Sequence, residues 1–236
     1  MKIPVLSYHS INNESSSVSL STKEFENQLI YLKKNNYKSV FYDDIDMSKD
    51  KQIIITFDDG YKDIFLNCLP LLKKYEFKAI CYIVVNKIGK TNEWDNDNNS
   101  VSKKELMSNE NLNEWIKNEM LIGSHSHDHF DLTKLTEKNI IYQLEKSKIQ
   151  LEDMFSTKIS SFCYPYGKYN LMIYKKAKNI YENAVTTNRS RYNLDKHSKH
   201  LIPRIDMGKK LSKFKLYLKL QTIYEDIKYN ELQLRL

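Results

Sequence analysis

Short runs rich in β-branched and aromatic residues recur near positions 3–7, 53–57, 79–85, 121–124, 161–164 and 184–187, with helix-like segments between them. That alternation leaves few architectures. A parallel neighbour is reached only through a crossover of a dozen or more residues, usually a helix, so strands separated in this way predict parallel βα units. A closed barrel and an open doubly wound sheet both satisfy the pattern, and hydropathy does not separate them. The 236 residues suit one α/β unit, so a single domain over 1–236 is expected.

The helical segments carry their own punctuation. Ser21 followed by Glu24 reads as a capping box, and Phe25, Leu29, Tyr31 and Leu32 form a stripe behind it. Pro70 opens a turn running through Leu71 and Leu72. Thr136 starts another helix, with Ile140, Ile141, Leu144, Ser147 and Leu151 facing a sheet. The stretch 89–113, rich in Asn, Asp, Ser and Lys, reads as a surface loop insertion holding at most a short helix, a rim on the substrate side. The tail 212–236 carries apolar residues among lysines in a pattern too irregular to assign a helix face, and it is expected to pack on the core as a C-terminal segment.

Composition narrows the class. With 41% hydrophobic and 28% charged residues the chain is neither a disordered tail nor a membrane protein. The net charge of +7 comes from lysines spread along the whole length, with no Arg-rich block, so nucleic acid is not the expected partner. Cys68, Cys81 and Cys163 are odd in number and far apart, which predicts buried thiols. Residues 1–9 lack the apolar stretch of a secretory signal, and no segment reaches transmembrane length. A cytoplasmic location is the expectation, with peripheral membrane or extracytoplasmic placement left open.

Two strand ends carry the chemistry. Ile53 to Phe57 is an apolar strand that stops at Asp58, Asp59 and Gly60. Carboxylates are rarely buried unless paired or metal-bound, and neighbouring strand residues point opposite ways, so the two acids should have different partners. The competing reading, an Asp-Gly turn capping a helix, is about as plausible for the bare motif. Three of the 6 histidines, His125, His127 and His129, follow the run 121–124. Asp59 with two of these imidazoles makes a two-His, one-carboxylate cation site, His125 and His129 being the preferred pair and His127 pointing away. Tyr164, Pro165, Tyr166 and Gly167 form a turn able to present a backbone N–H to an oxyanion and an aromatic wall to a sugar, although such turns are usually only turns. His9, after the first strand, reads by itself as a structural hydrogen-bonder. All four features follow strands, so a parallel fold gathers them at one face.

Thr56-Phe57-Asp58-Asp59-Gly60, His125-Ser126-His127-Asp128-His129 and Pro165-Tyr166-Gly167 together resemble the hallmarks of the polysaccharide deacetylases, the NodB-homology group of carbohydrate esterase family four. The motifs span Thr56 to Gly167 in the family's order, and Tyr8-His9 looks like the opening strand end of a subgroup acting on bacterial surface polysaccharides. The resemblance implies a distorted (β/α)7 barrel and a divalent metal, usually zinc with cobalt or nickel as alternatives, held by Asp59, His125 and His129. It implies Asp58 as general base, the Tyr166 N–H as oxyanion donor and His9 as the acid, since no C-terminal Leu-x-His is present. Family members often carry an arginine two residues before the motif proline, where it pairs with the base. Cys163 stands there in this chain, and Arg204 is the candidate replacement. Pro165, Tyr166, Arg204 and Trp94 are the candidate sugar contacts. The implied reaction is N-deacetylation of an N-acetylhexosamine glycan, with de-O-acetylation open. A glycan-binding module without turnover and a non-haem iron oxygenase are the alternative readings.

Overall fold

The computed structural model describes residues 1–96 and 98–229. Seven strands run in chain order as Val5–Tyr8 (β1), Gln52–Phe57 (β2), Ile80–Ile83 (β3), Leu121–Ser124 (β4), Ser161–Cys163 (β5), Asn183–Arg189 (β6) and Ile202–Asp206 (β7). Each pairs in parallel with its sequence neighbour, and β7 pairs with β1 to close the ring. The ambiguity between barrel and open sheet resolves as a closed, seven-stranded parallel barrel.

β2 shows why a parallel strand reads as an unbroken apolar run. Ile54 packs with Val5, Ile80, Tyr82, Val185 and Ile202 inside the barrel, while Ile53, Ile55 and Phe57 join the larger core under the helices. Both faces are buried, so neither carries a polar alternation. Tyr82 crosses the lumen at Gly123, where a Cβ would lie 2.6 Å from the tyrosine ring and 3.0 Å from the Ser161 carbonyl oxygen.

The closing strand β7 is the one the sequence does not announce. Pro203 and Arg204 interrupt its apolar run, yet both are buried along with Ile202 and Ile205. Its register against β6 shifts between Val185 and Arg189, an irregularity that suits a strand containing a proline.

Among the described residues, six helices cover the barrel: Thr22–Lys34 (α1), Leu69–Tyr75 (α2), Asn109–Lys117 (α3), Glu137–Phe155 (α4), Leu171–Ile180 (α5) and Lys213–Gln221 (α6). Ser21 caps α1 by accepting the Glu24 N–H, and Thr136 caps α4 through the Asn139 N–H. Phe25, Leu29 and Leu32 are buried, with Tyr31 at the margin. α2 follows a π-helical turn, Ile64–Cys68.

Two segments are more regular than their sequence pattern. The insertion ends at Ser108, because Ser108 and Asn111 form a reciprocal capping box and α3 then buries Leu112 and Trp115 in the helical layer. The tail contains a regular helix whose inward face is Leu216, Lys219 and Leu220. The buried Lys219 amine reaches Glu225 at 3.0 Å and the Asp206 carbonyl at 2.8 Å, which is why hydropathy alone misses that face. Positions 230–236 of the expected C-terminal segment lie outside the described residues. All three cysteines are buried free thiols, and no helix among the described residues is long and apolar enough to cross a membrane.

Candidate active site

Asp58 continues the register of β2, its N–H donating to the Tyr8 carbonyl at 2.9 Å. Its carboxylate meets Arg204 in a two-pronged pair: Nη1 to Oδ1 at 2.7 Å and Nη2 to Oδ2 at 2.7 Å. The guanidinium is itself fixed by the Thr186 carbonyl at 2.9 Å and Thr56 Oγ1 at 3.1 Å. Burial pushes the Asp58 carboxyl up, but the Arg204 charge outweighs it and holds the group below its ordinary value. Asp58 is therefore an ionised carboxylate inside the barrel mouth.

At Asp59 the backbone turns left-handed, with φ 71° there and 75° at Gly60. This reversal separates the two acids. Asp59 Oδ1 lies 3.4 Å from His125 Nε2 and 3.3 Å from His129 Nε2, and the two imidazole nitrogens are 3.2 Å apart. The histidines converge because the chain reverses after β4: Ser126 and His129 have φ of 67° and 62°, and the Ser126 hydroxyl accepts the His129 N–H at 3.0 Å. His127 leaves the group and binds Asp128 at 2.8 Å.

Four-coordinate tetrahedral zinc at 2.0–2.1 Å sets its ligand atoms about 3.3 Å apart. The triangle of Asp59, His125 and His129 has those dimensions, and its O, N, N donor set suits zinc, cobalt or nickel. Burial raises the Asp59 carboxyl, yet hydrogen bonds from the two imidazoles carry it well below its usual range, so the oxygen donor is anionic. Asp58, His125 and Cys163 form a second close trio. It is a poorer site, because Arg204 occupies Asp58 and burial raises the Cys163 thiol, keeping it protonated.

The Pro165–Gly167 turn brings Tyr166 to the same place. Tyr166 adopts φ 57°, its ring meets His129 edge-on at 4.7 Å, and burial pushes its hydroxyl up to about 12. Gly167 lies so close to β6 that a Cβ would sit 2.0 Å from Thr187 Oγ1. His9 Nε2 is 3.8 Å from Asp58 Oδ2. The cleft above these groups has a volume of about 230 Å³ and is lined by His9, Asp58, Asp59, Trp94, His125, His129 and Tyr166, together with Ser17, Val18 and Thr187. A roomier hollow of about 460 Å³ lies at the opposite end of the strands between Met1, Tyr37 and Arg191, away from the triangle.

Two of the candidate sugar contacts, Arg204 and Pro165, lie outside the lining of the cleft. Arg204 is 3% exposed with its guanidinium spent on Asp58 and Thr56, and Pro165 is buried beneath the turn; neither lines the cleft. Trp94 does line it, but one face of its indole is stacked on His129. Thr187, near the C-terminal end of β6, also lines the cleft.

The polysaccharide deacetylase family model matches residues 46–183, more than half of the chain. The chain belongs to the polysaccharide deacetylase family. The match contains Asp58, Asp59, His125, His129 and Tyr166; His9 and Arg204 lie outside it. This deacetylase-family chain is 31% identical over 194 residues to the polysaccharide deacetylase-like protein YxkH of Bacillus subtilis (strain 168), a match covering 79% of this chain but only 64% of YxkH. It is 30% identical over 227 residues to the poly-β-1,6-N-acetyl-D-glucosamine N-deacetylase of Staphylococcus aureus (strain MRSA252), covering 84% of this chain and 76% of that protein. Among solved structures, the Streptococcus pyogenes deacetylase PplD in complex with acetate superposes with a TM-score of 0.81 at 21% identity, covering 94% of this chain and 99% of PplD. IcaB from Ammonifex degensii gives 0.76 at 19% identity, covering 87% and 91%. At those identities the likeness is one of fold, and the shared fold is the seven-stranded barrel.

Proposed function

We propose that this protein is a metal-dependent hydrolase that removes N-acetyl groups from an N-acetylhexosamine polymer. The observation that carries the reading is the Asp59, His125 and His129 triangle beside an Asp58 that Arg204 keeps ionised. The Staphylococcus aureus relative makes β-1,6-linked N-acetylglucosamine the first substrate to try.

Asp59, His125 and His129 would hold a divalent cation, which would supply Lewis acidity toward the acetyl oxygen and a water. Asp58 takes a proton from the water that attacks the carbonyl carbon. The Tyr166 N–H donates to the carbonyl oxygen as charge collects there. His9, which lines the cleft with Nε2 3.8 Å from Asp58 Oδ2, gives a proton to the sugar nitrogen as the C–N bond breaks, leaving acetate and a free amine. Arg204 touches no substrate; it orients Asp58 and holds it anionic.

Arg204 answers one argument for a binding module without turnover, since the base has its cation despite Cys163 in the motif position. The parallel α/β barrel weighs against an iron oxygenase, whose usual scaffold is an all-β double-stranded helix. The deciding assay is acetate release from β-1,6-linked N-acetylglucosamine oligomers with zinc, with cobalt and with chelator. Loss under chelator and recovery on adding metal is the expected result. Oligomer binding without acetate in metal-loaded protein would replace the enzyme reading with the binding one.

A further inference from the structure

The two imidazoles of the triangle are held in different ways. His125 Nδ1 lies 2.8 Å from the Cys163 carbonyl oxygen, the arrangement that normally sets the plane and tautomer of a metal-binding histidine. His129 Nδ1 is buried and has no hydrogen-bond partner among the described residues. Its ring is held by aromatic contact instead: the Trp94 indole stacks on it at 4.5 Å with 28° between the planes, and Tyr166 meets it edge-on. The terminal torsion of a histidine is broad, so with Nδ1 unpartnered this packing restrains the ring from behind while Nε2 faces Asp59 and His125.

Trp94 belongs to the turn Glu93–Asp95 of the β3–α3 insertion, and that insertion is tied to the chain just past Asp59. The Met107 N–H donates to the Gly60 carbonyl at 2.8 Å, and the Lys62 N–H to the Glu105 carbonyl at 3.0 Å. Asn92 braces the turn by accepting the Lys104 N–H at 2.6 Å and donating to the Ser102 carbonyl at 3.1 Å. The Lys104 amine, nearly fully buried, pairs with Glu14 at 2.7 Å and fastens the insertion to the loop after β1. The indole is thereby fixed with respect to Asp59 on one side and packed on His129 on the other.

We propose that Trp94 is a positioning residue for His129, through which the insertion sets cation affinity without contributing a ligand atom. The proposal rests on reading Asp59, His125 and His129 as a cation site. It gives Trp94 a task different from that of a sugar platform, since the inner face of the indole is already covered.

The test is zinc affinity by chelator competition, with the visible absorption of cobalt-loaded protein, for the wild type, Trp94→Phe, Trp94→Leu and Trp94→Ala. Trp94→Leu and Trp94→Ala should weaken zinc by about ten- to a hundredfold, as loss of a supporting partner does at other metal-binding histidines. Both should alter the cobalt spectrum, and Trp94→Phe should restore most of each property. Thermal midpoints of the chelator-treated proteins should agree, separating positioning from folding. If Trp94→Ala fails to fold, Trp94→Leu carries the comparison. Wild-type zinc affinity and an unchanged cobalt spectrum in Trp94→Leu, with only KM for the oligomer raised, would overturn the proposal and make Trp94 a substrate contact. A wild-type protein that binds neither zinc nor cobalt would overturn the cation site itself, and this inference with it.

Discussion

Arg204 and Asp58, 146 positions apart in the chain, meet at the barrel mouth with each guanidinium prong 2.7 Å from one carboxylate oxygen. Each is almost fully buried, so each depends on the other to offset the cost of leaving water.

Replacing Arg204 by Met removes the charge that outweighs burial at Asp58. The Asp58 pKa should rise, and the acid limb of kcat/KM should move to higher pH. Because the native Asp58 pKa lies below its unfolded value, this group stabilises the fold above ordinary carboxylate pKa values and loses that contribution as pH falls through the native one. Breaking the pair should cost about 3–5 kcal/mol at neutral pH. Denaturant titration and a pH–rate profile check both; an unmoved acid limb would show that Arg204 does not tune the base.

Asp58→Asn keeps the shape of the base and removes its ability to take a proton. Acetate release should fall by about 10²–10⁴-fold while zinc stoichiometry stays at the wild-type level. Metal analysis and acetate assay on one preparation suffice, and substantial acetate release would remove Asp58 from the role.

Asp59→Ala, His125→Ala and His129→Ala each delete one corner of the triangle. Each should lose zinc and activity together. Zinc should also stabilise the wild type by about 2.7 kcal/mol at a hundred times Kd, raising its Tm, and should leave Asp59→Ala unmoved. A Tm increase of equal size in that variant would place the metal elsewhere.

His9→Gln tests the proton donor. kcat should fall with zinc affinity intact, and the loss should be smaller for an acetylated substrate whose leaving group needs no protonation. A near-normal rate on the amide substrate would exclude His9.

Gly123→Ala probes the barrel itself. The added methyl meets the Tyr82 ring and a β-strand carbonyl, neither of which can move aside. A loss of about 1–3 kcal/mol is expected, and wild-type stability in denaturant would contradict the packing at that level of the lumen.

What could be read along the chain was what depends on near neighbours. Six of the seven barrel strands, the caps at Ser21 and Thr136, the divergence of Asp58 from Asp59 and the turn that pairs His125 with His129 follow from spacing and from residues that favour particular backbone angles. β7 and the inward face of α6 were hidden because Arg204 and Lys219 are buried cations, and a hydropathy pattern counts such residues as surface.

By itself, the sequence determined the α/β alternation and the donor types at two strand ends, because both are local and periodic. Only the tertiary structure decided that β7 closes the ring against β1, that Arg204 rather than a motif residue neutralises Asp58, and that Trp94 stands against His129. Those relationships depend on which strands become neighbours and in what register, and that is set by packing the whole barrel at once rather than by any stretch of chain within it.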